Sequence, residues 1–559
     1  MVAFLSKDEL DAIAEFEESA RHAASMQAGL LSSILHHNAS CAYLQQHGMD
    51  GLSDVGSFKS RVPIVDPEDL HPLIQRIADG DCSGLLTSSP ITSMLLSSGT
   101  SSGRSRLVPA TTELRQITLK RFFLSNAIIK RDLSIFEAGK SLNFIYAGKL
   151  LTKKGGLKAG SSSTHHLRSG VHLDRLPQWT SPLGVVLGPN VRQSMYCHLL
   201  CGLLQAEEVT VISSFLAYGI TEAFRFFEDV WEELCNDIAT GTLSCRITDD
   251  SVRGATLERL QRDPQLAEKV HSECVKGWSG IIKRLWPNVI YINTIVTGSM
   301  EPYVPYLKNY GEDVPIVCGD YGSSECTVGI NLSPISPPEK VVFTLVPYAA
   351  YFEFLPLNQE GGTTTDLTEL EVGKEYELIV TTVAGLYRYR LGDVITVTGY
   401  YHALPQFRFA RRSNVMLSIN TDKTDERELC EVVKRVSKRL KGGNMDLLDF
   451  TSHADHSSRP GHYTIFWELK NTACTNDYIL IQCCQDLDAF FNDPYQRGRA
   501  AGTIGPLELC IVKEQTFQNI MVFVLESGAS PTQYKTPRCI NSVALLNILR
   551  TSVLCVYTS

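Results

Sequence analysis

Residues 315–409 carry short runs rich in β-branched and aromatic residues, set between segments of helical composition. The runs cover residues 341–346, 351–355, 377–382, 394–400 and 406–409. Strands spaced this closely pair with one another, whereas the flanking helical segments need a core that covers their apolar faces. We therefore predict an α/β fold, with a large N-terminal domain that contains mixed sheets and a β-barrel-like subdomain, rather than a simple doubly wound fold.

Helices are predicted where apolar residues recur at steps of three and four. Residues 7–48 have helical composition, and residues 220–234 place aromatic and aliphatic side chains on one stripe. Thr111 or Thr112 is a suitable N-cap for a helix that continues to about Arg131. Upstream of residue 95, prolines predict a turn-rich stretch at Pro63, Pro67 and Pro72.

A polar interruption at residues 411–414 predicts the next boundary. It precedes an amphipathic helix whose apolar face is formed by Leu429, Val432, Val433, Val436 and Leu440. Strands are predicted around residues 463–469 and 507–512, with helices between them. We predict a large N-terminal domain at 1–411, a hinge at 412–424, and a smaller mobile α/β C-terminal domain at 425–559.

Composition excludes several classes of function. The chain of 559 residues is 43% hydrophobic and 20% charged, with a net charge of −9 and no Lys/Arg block typical of nucleic-acid binding. Its apolar runs fall short of the roughly 20 residues that span a bilayer. Sixteen cysteines without a Cys-x-x-Cys pair predict reduced, buried thiols rather than a metal cluster. We predict a soluble, cytoplasmic protein without a nucleic-acid or membrane partner.

The segment 95–109 places hydroxyls and glycines between an apolar lead-in and a basic exit. Gly99 and Gly103 let the backbone approach an anion, and Arg104 and Arg106 supply charge nearby. Hydroxyl donors are supplied by Ser97, Ser98, Thr100 and Ser101. The spacing and the missing lysine exclude a P-loop. Two interpretations stay open at this point: a phosphate-binding loop, or a flexible Ser/Gly surface loop.

Two further clusters carry chemistry. Residues 320–326 put a carboxylate beside small residues and an aromatic ring, which suits a Mg²⁺ ligand next to a nucleobase or acyl group. Residues 385–393 are predicted to end a strand with Arg and Asp close together. Asp393 is able to accept both ribose hydroxyls there, and the alternative is an Arg–Asp pair that stabilises a turn.

These three motifs, in this order, resemble those of the adenylate-forming superfamily, and specifically the Gretchen Hagen family of plant acyl-acid amido synthetases. Their sequences are Ser-Ser-Gly-Thr-Ser-Ser-Gly at 97–103, Tyr-Gly-Ser-Ser-Glu at 321–325 and Tyr-Arg-Leu-Gly-Asp at 389–393. The resemblance extends along the chain through segments 193–202, 297–305, 350–356 and 533–538. The amino-acid sequences of segments 297–305 and 387–393 are most similar to those of the jasmonate-conjugating branch.

The resemblance implies an ATP- and Mg²⁺-dependent ligase that joins a carboxylic hormone to an amino acid through an acyl adenylate, without an obligate protein partner. It implies that phosphate is held by Ser97, Ser98, Gly99 and Thr100. It implies nucleotide contacts from Thr118, Ser299, Tyr321, Gly322 and Ser323, with Asp393 on the ribose. It implies Glu325 as metal ligand and catalytic residue, and Lys535 and Lys423 as mobile catalytic cations.

The substrate sites depart from the family pattern. Residues 160–167, which include Thr164, are expected to border the amino-acid site, where His165 and His166 make this chain more basic than the jasmonate-type pattern. Phe215 is expected to line a pocket. Thr327 and Gly319 replace bulkier groups, which predicts a larger or reshaped acid pocket. A jasmonate-like oxylipin is favoured, while an auxin or a benzoate stays compatible. Another adenylating ligase and a non-catalytic nucleotide or hormone binder are the alternatives from other classes.

Overall fold

The computed structural model describes residues 5–97, 106–135, 139–170, 177–357, 362–413, 416–420, 422–443, 445–470 and 476–559. Its α-helices are α1 Lys7–Arg21, α2 Ala23–His37, α3 Ala42–Gln46, α4 Val55–Arg61, α5 Pro67–Ala78, α6 Thr112–Asp132, α7 Ser162–Arg168, α8 Leu183–Val186, α9 Val191–Leu204, α10 Ala217–Thr240, α11 Asp250–Leu257, α12 Pro264–Cys274, α13 Ile281–Leu285, α14 Val304–Gly311, α15 Glu426–Val436, α16 Asp477–Phe490, α17 Asp493–Ala500, α18 Thr516–Glu526 and α19 Val543–Thr551. Its strands are β1 Ile91–Leu96, β2 Leu107–Thr111, β3 Lys140–Asn143, β4 Leu151–Thr152, β5 Lys158–Gly160, β6 Val209–Leu216, β7 Tyr291–Ile295, β8 Ile316–Val317, β9 Asp320–Gly322, β10 Thr327–Ile330, β11 Phe343–Leu345, β12 Tyr351–Pro356, β13 Glu375–Thr381, β14 Tyr389–Tyr401, β15 Leu404–Arg412, β16 Met416–Leu417, β17 Thr424–Asp425, β18 Asp446–Asp455, β19 His462–Lys470, β20 Glu508–Val512 and β21 Val553–Thr558.

A parallel sheet in the order β3-β6-β7-β8 organises the first half of the chain. Helix α10, which contains the predicted stripe, buries Phe224 and Phe227 against Trp286. Parallel strands end at the same edge of a sheet, so the carboxyl ends of β6 and β7 lie side by side. An apolar cavity opens at that edge and is described below.

The strands predicted between residues 341 and 409 all fall in one seven-stranded sheet, in the order β12-β13-β14-β15-β11-β10-β9. Tyr321 on β9 donates its hydroxyl to Asp393 on β14, although three strands separate β9 from β14 in this order. Four strand spacings of about 4.8 Å exceed the reach of a tyrosine across a flat sheet. The sheet therefore curls strongly, as the barrel-like prediction requires.

The segment 97–106 connects two antiparallel strands, β1 and β2, in a small sheet of order β2-β1-β5-β4. The backbone N–H of Ser97 donates to the Arg106 carbonyl at 2.9 Å and closes the connection. Helix α6 begins directly after β2, and Thr111 caps it by accepting from the Leu114 N–H at 3.3 Å. The predicted cap and helix are confirmed.

Two local predictions are wrong. Pro67 and Pro72 lie in α5 rather than in turns. Pro67 occupies the first turn, where a backbone N–H has no partner within the helix, so the N–H that proline lacks is not missed. Asp66 and Asp69 form a capping box at this helix start. The segment 385–393 precedes and begins β14 instead of ending a strand. Its turn contains Arg388 at φ +42°, a left-handed conformation uncommon for a non-glycine residue.

The C-terminal part contains a sheet in the order β18-β19-β20-β21, in which β19 and β20 are parallel. Both predicted strands and the predicted helix α15 are present. The apolar face of α15 packs into a core of its own with Trp467 and Leu480. Most of the described cysteines are buried thiols, as predicted. No helix of the described residues is long and apolar enough to cross a membrane.

A buried polar network joins the C-terminal part to the rest of the chain. Arg538 donates to Asp449 at 2.6 Å and to the hydroxyl of Tyr303 at 2.9 Å. Tyr303 in turn donates to Asp449 at 3.1 Å. A second contact joins Thr532 to the backbone of Tyr146, which it meets through hydrogen bonds of 2.6 and 2.8 Å. Both contacts flank Lys535 in sequence, so they fix where this lysine lies.

Replacing Tyr303 with Phe is expected to weaken this junction, because it removes a buried hydroxyl that bonds to both charges. Hydrogen bonds to charged groups contribute about 1.5–3 kcal/mol, so separation of the two parts becomes about 10- to 100-fold more frequent. Limited proteolysis measures this separation through the rate at which two fragments appear. Tyr376→Phe is the matched control, since its hydroxyl accepts from the Glu371 N–H within the N-terminal part. Equal cleavage rates in both variants would contradict the expectation.

Candidate active site

An apolar cavity of about 600 Å³ opens at the carboxyl ends of β6 and β7, against one face of α6. Strand β6 contributes Ser213, Ser214 and Phe215, and β7 contributes Asn293, Thr294 and Ile295. Large apolar side chains dominate the wall: Leu119, Phe122, Phe123, Ile145, Trp179 and Phe215. A cavity of this size and character suits a small organic acid with a hydrophobic body. Ligands of α/β proteins commonly bind at this edge of a parallel sheet.

The predicted substrate residues are distributed unevenly around this cavity. Phe215 lines it from the end of β6, directly before the entrance to α10. Thr164 is buried and accepts from the Gly148 N–H at 3.1 Å. His165 points into the protein, where its Nε2 lies 3.2 Å from the Met94 carbonyl, and burial lowers its pKa. Its neighbour His166, on another face of α7, lines the cavity instead.

The two positions expected to enlarge the acid pocket behave differently. Gly319 lines the cavity, but a Cβ there would lie 2.5 Å from the Ser125 Oγ of α6. The missing side chain therefore admits α6 rather than leaving empty volume. Thr327 is buried at the start of β10 and is not among the described residues that line the cavity.

Strand β9 leads directly from the cavity to a charged cluster. Tyr321 packs its ring against Phe343, Phe407 and Phe409 and donates its hydroxyl to Asp393. Asp393 is 2% exposed, and its Oδ1 lies 3.1 Å from the Nε of Arg412 in an ion pair. That Oδ1 has no hydrogen-bond donor among the described residues. A buried carboxylate oxygen without a donor fits a ligand hydroxyl such as those of ribose.

Arg412 is a site residue that the sequence analysis missed. It is the cross-strand partner of Asp393 in the β14–β15 pairing, so sheet register brings together two residues that are distant in sequence. The alternative of an Arg–Asp pair within the 385–393 turn is wrong, because Arg388 pairs with Glu353 and Arg390 pairs with Glu377. Asp393 instead pairs with Arg412 and accepts from Tyr321 in the charged cluster.

A tight turn after β9 presents Glu325. The Ser323 hydroxyl accepts from the N–H groups of Glu325 and Cys326, at 3.2 and 3.3 Å. Glu325 is 8% exposed, and burial raises its pKa, which the Ser323 hydroxyl and the charge of Arg412 partly oppose. A buried carboxylate favours a bound cation. Within the described residues no group of three or more acidic, His or Cys side chains forms a metal site. A Mg²⁺ ion that takes one protein carboxylate and the oxygens of a phosphate ligand fits this donor set.

Lys535 comes from the C-terminal part and is half-buried at this cluster. Burial lowers its pKa, and the charge of Arg412 lowers it further, whereas the carboxylates of Glu426 and Asp393 raise it. The lysine therefore lies close enough for the charges of Asp393 and Arg412 to shift its pKa. Lys423 differs, because it is exposed to solvent and its backbone carbonyl accepts from Asn492 at 3.2 Å.

The remaining predicted nucleotide residues lie on several different elements. Ser97 is buried at the end of β1, and its hydroxyl accepts from the Arg106 N–H at 3.3 Å. Ser98, Gly99 and Thr100 lie outside the described residues. Thr118 is half-buried on α6 and donates to the Leu114 carbonyl at 3.0 Å. Ser299 is buried in a 3₁₀ turn at Gly298–Tyr303.

Gly322 explains how α6 approaches the nucleotide motif. A Cβ at this position would lie 2.4 Å from the Nη1 of Arg121 on α6. The glycine therefore admits a buried guanidinium against β9. Arg121 is a second residue that the sequence analysis did not identify, and its helical spacing from Thr118 was the available signal.

Comparisons with known proteins cover the whole of this architecture. The chain matches the GH3 family N-terminal domain over residues 12–316, the GH3 family central domain over 343–412 and the GH3 family C-terminal domain over 427–544. It is 43% identical to a jasmonoyl–L-amino acid synthetase, JAR6 of Nicotiana attenuata, with 99% of this chain and 97% of the relative covered.

An auxin-related relative and a solved structure are similarly close. The indole-3-acetic acid-amido synthetase GH3.6 of Arabidopsis thaliana is 41% identical, with 97% of this chain and 93% of the relative covered. The solved structure of the GH3.15 acyl acid amido synthetase superposes with a TM-score of 0.90 at 37% identity, covering 98% of this chain and 97% of that one. The resemblance seen in the motifs is confirmed, and the chain belongs to the GH3 family of acyl-acid amido synthetases.

Proposed function

We propose that this chain joins a carboxylic plant hormone to an amino acid in an ATP-dependent reaction that passes through an acyl adenylate. The observation that carries the proposal is the continuity of two sites. Gly319 and Asp320 line the apolar cavity, and the next residues, Tyr321 and Gly322, belong to the nucleotide motif. An acid in the cavity thus lies beside a nucleotide bound along β9, and bond formation between them requires this proximity.

The reaction needs the nucleotide because a carboxylate oxygen is a poor leaving group. ATP supplies the activation: the carboxylate attacks the α-phosphorus, pyrophosphate departs, and the amine of the amino acid then displaces AMP. Mg²⁺ supplies neutralisation of the phosphate charge. We assign the phosphates to Ser97, Ser98, Gly99 and Thr100, and the metal to Glu325.

The chain's own residues hold and orient the reactants. Asp393 offers the ribose its Oδ1, which accepts no hydrogen bond from the described residues, and Tyr321 fixes that carboxylate through its hydroxyl. Thr118, Ser299, Gly322 and Ser323 are assigned to the nucleotide. Lys535 brings a cation to the phosphates from the C-terminal part, and Lys423 is the candidate for the second half-reaction. A donor placed where charge develops stabilises the transition state because it needs no reorganisation.

A jasmonate-like oxylipin is the acid that we favour, and an auxin is the rival. Relatives that carry either name are similar to this chain at 43% and 41% identity. The cavity of about 600 Å³ has an apolar and aromatic wall, which accommodates the body of either acid. The amino-acid site is assigned to the segment 160–167, where Thr164 and His165 are buried and His166 reaches the cavity.

One assay tests this function and the role of Lys535. Wild-type protein with ATP, Mg²⁺, twenty amino acids and a panel of jasmonic, indole-3-acetic and benzoic acids is expected to form an amide, detected by mass spectrometry. Lys535→Ala is expected to slow acid-dependent ATP–pyrophosphate exchange about 100-fold or more, since it removes a buried cation from the phosphates.

The control for Lys535→Ala is Lys513→Ala, which removes an exposed lysine from the same part of the chain and is expected to leave exchange unchanged. No exchange with any acid would contradict the proposed function itself. Normal exchange and normal amide yield in Lys535→Ala would contradict only the role of the lysine. A thioester formed with coenzyme A in place of an amide would favour another adenylating ligase.

Glu325 makes metal-dependent nucleotide binding sensitive to pH. Its raised pKa means that the carboxyl takes up a proton at a higher pH than an ordinary glutamate. A metal competes with that proton, so the Mg²⁺-dependent gain in ATP affinity is expected to shrink as pH falls toward the raised pKa. Titration calorimetry between pH 5 and 8, with and without Mg²⁺, measures it. Glu325→Gln is expected to lose the gain at every pH, whereas the surface variant Glu339→Gln keeps the wild-type profile. A Mg²⁺ gain that survives in Glu325→Gln would exclude Glu325 as the ligand.

A further inference from the structure

Arg121 on α6 is a buried cation whose bonding capacity is largely unused. The residue is 8% exposed, and its Nε has no hydrogen-bond acceptor among the described residues. Within that part of the chain its ion pair is long, with 3.5 Å between Nη1 and the Asp320 Oδ1. A guanidinium carries five N–H donors, and a buried one is normally satisfied by carboxylates or carbonyls. Its surroundings therefore leave room for an anionic ligand.

The guanidinium lies directly behind the wall of the acid cavity, against two residues that line it. Its central carbon is 4.2 Å from the ring centroid of Phe122, and Phe122 lines the cavity. Asp320, its ion-pair partner, lines the cavity as well. The carboxylate of Asp320 holds the guanidinium in place but also repels an acid, so an acid in this cavity needs a cation beside it.

The same guanidinium touches the nucleotide motif on its other side. Its Nη1 occupies the space that a side chain at Gly322 would fill. One residue thus lies between the cavity and β9, at the boundary that the carboxyl group of a bound acid has to reach before it meets the α-phosphorus. A planar fork of donors suits a carboxylate, which it can bind through both oxygens.

Two basic side chains line the cavity itself, but they do not reach the nucleotide motif. Lys120 is paired with Glu15 at 2.5 Å and lies 4.5 Å from the ring centroid of Tyr348, so its charge is already engaged. His166 enters from α7. Arg121 is distinguished from both by its contact with Gly322.

We propose that Arg121 binds the carboxylate of the acid substrate and aims it at the nucleotide. The inference rests on the proposed function and names the residue that selects an ionised acid over a neutral analogue. Apolar side chains of the cavity hold the body of the acid, while the guanidinium offsets the charge that this body carries into the protein.

The test compares an acid with its primary amide, which has the same shape and no charge. The acid is the panel member that gives the fastest ATP–pyrophosphate exchange with the wild-type enzyme, and the amide is measured as a competitive inhibitor. Wild type is expected to prefer the acid by about 10- to 100-fold, the range for a hydrogen bond to a charged group. In Arg121→Gln this preference is expected to fall to within about threefold of unity, while the Kd for ATP changes less than threefold.

Two variants serve as controls. Lys120→Gln, one residue away on the same helix, is expected to keep the preference for the acid. Arg121→Gln leaves Asp320 without its partner, so the double variant Arg121→Gln/Asp320→Asn removes the pair together and is expected to show the same loss of preference if the single variant folds poorly. Thermal unfolding and ATP affinity report folding in each case.

The outcomes separate this inference from the function on which it rests. Exchange with no acid in wild type overturns the proposed function, and this inference with it. Exchange in wild type with an undiminished acid preference in Arg121→Gln and in the double variant overturns the inference alone. A loss of ATP affinity equal to the loss of acid affinity in both variants also overturns it, since the guanidinium would then serve phosphate. Loss of preference in Lys120→Gln instead would assign the carboxylate to Lys120.

Discussion

The buried carboxylate of Asp393 constrains the arrangement of the whole site. A carboxylate removed from water is costly unless cations and hydrogen bonds surround it. Arg412 reaches it across the β14–β15 pairing, and Tyr321 reaches it because the sheet curls far enough to bring β9 over β14. Lys535 senses its charge from the C-terminal part. The surroundings of the Asp393 charge therefore depend on three features: the curvature of the sheet, the register of its strands and the junction between the two parts of the chain.

Helix α6 connects this charged cluster to the acid cavity. Its residues Leu119, Phe122 and Phe123 face the cavity, while Arg121 turns toward Gly322 and Ser125 toward Gly319. Because successive residues of a helix are rotated by about 100°, one helix serves both sites through alternating faces. The two glycines of the 319–322 segment allow the close approach of α6. Both sites consequently depend on the same helix-to-strand contact.

Sequence patterns predicted the elements more completely than the contacts between them. The five β-rich runs became neighbouring strands of one sheet because alternation and β-branched content report directly on strands. The Thr111 cap and α6 were predictable for the same local reason. The site residues were less predictable. A histidine pair was visible in the sequence, but the helical rotation of α7 turns His165 inward and His166 toward the cavity. A one-residue difference in helix phase is beyond what a seven-residue segment reveals.

Long-range pairing explains the other residues that the sequence left hidden. Arg412 was interpreted only as part of a polar domain boundary, because its contribution to the site depends on its pairing with Asp393 on the neighbouring strand. Arg121 was not identified, because its place in the site depends on its close contact with a glycine two hundred residues later. Gly319 was expected to enlarge the cavity, but the space is taken by Ser125. In each case the deciding neighbour is remote in sequence, and composition carries no information about it.

The role proposed for Lys535 would account for the absence of a lysine from the Ser/Gly segment. A lysine fixed in that loop would act in both half-reactions, whereas one delivered by the C-terminal part can leave after the first. Burial and the charge of Arg412 lower the pKa of Lys535, and the carboxylates of Glu426 and Asp393 oppose this only in part. The network of Tyr303, Asp449 and Arg538 holds it there through polar contacts, and the neighbouring Tyr534 packs against Tyr218 in the apolar core of the N-terminal part. Water can replace the polar contacts on separation, whereas the apolar contact opposes it, so the proposed movement requires the ring of Tyr534 to leave this core.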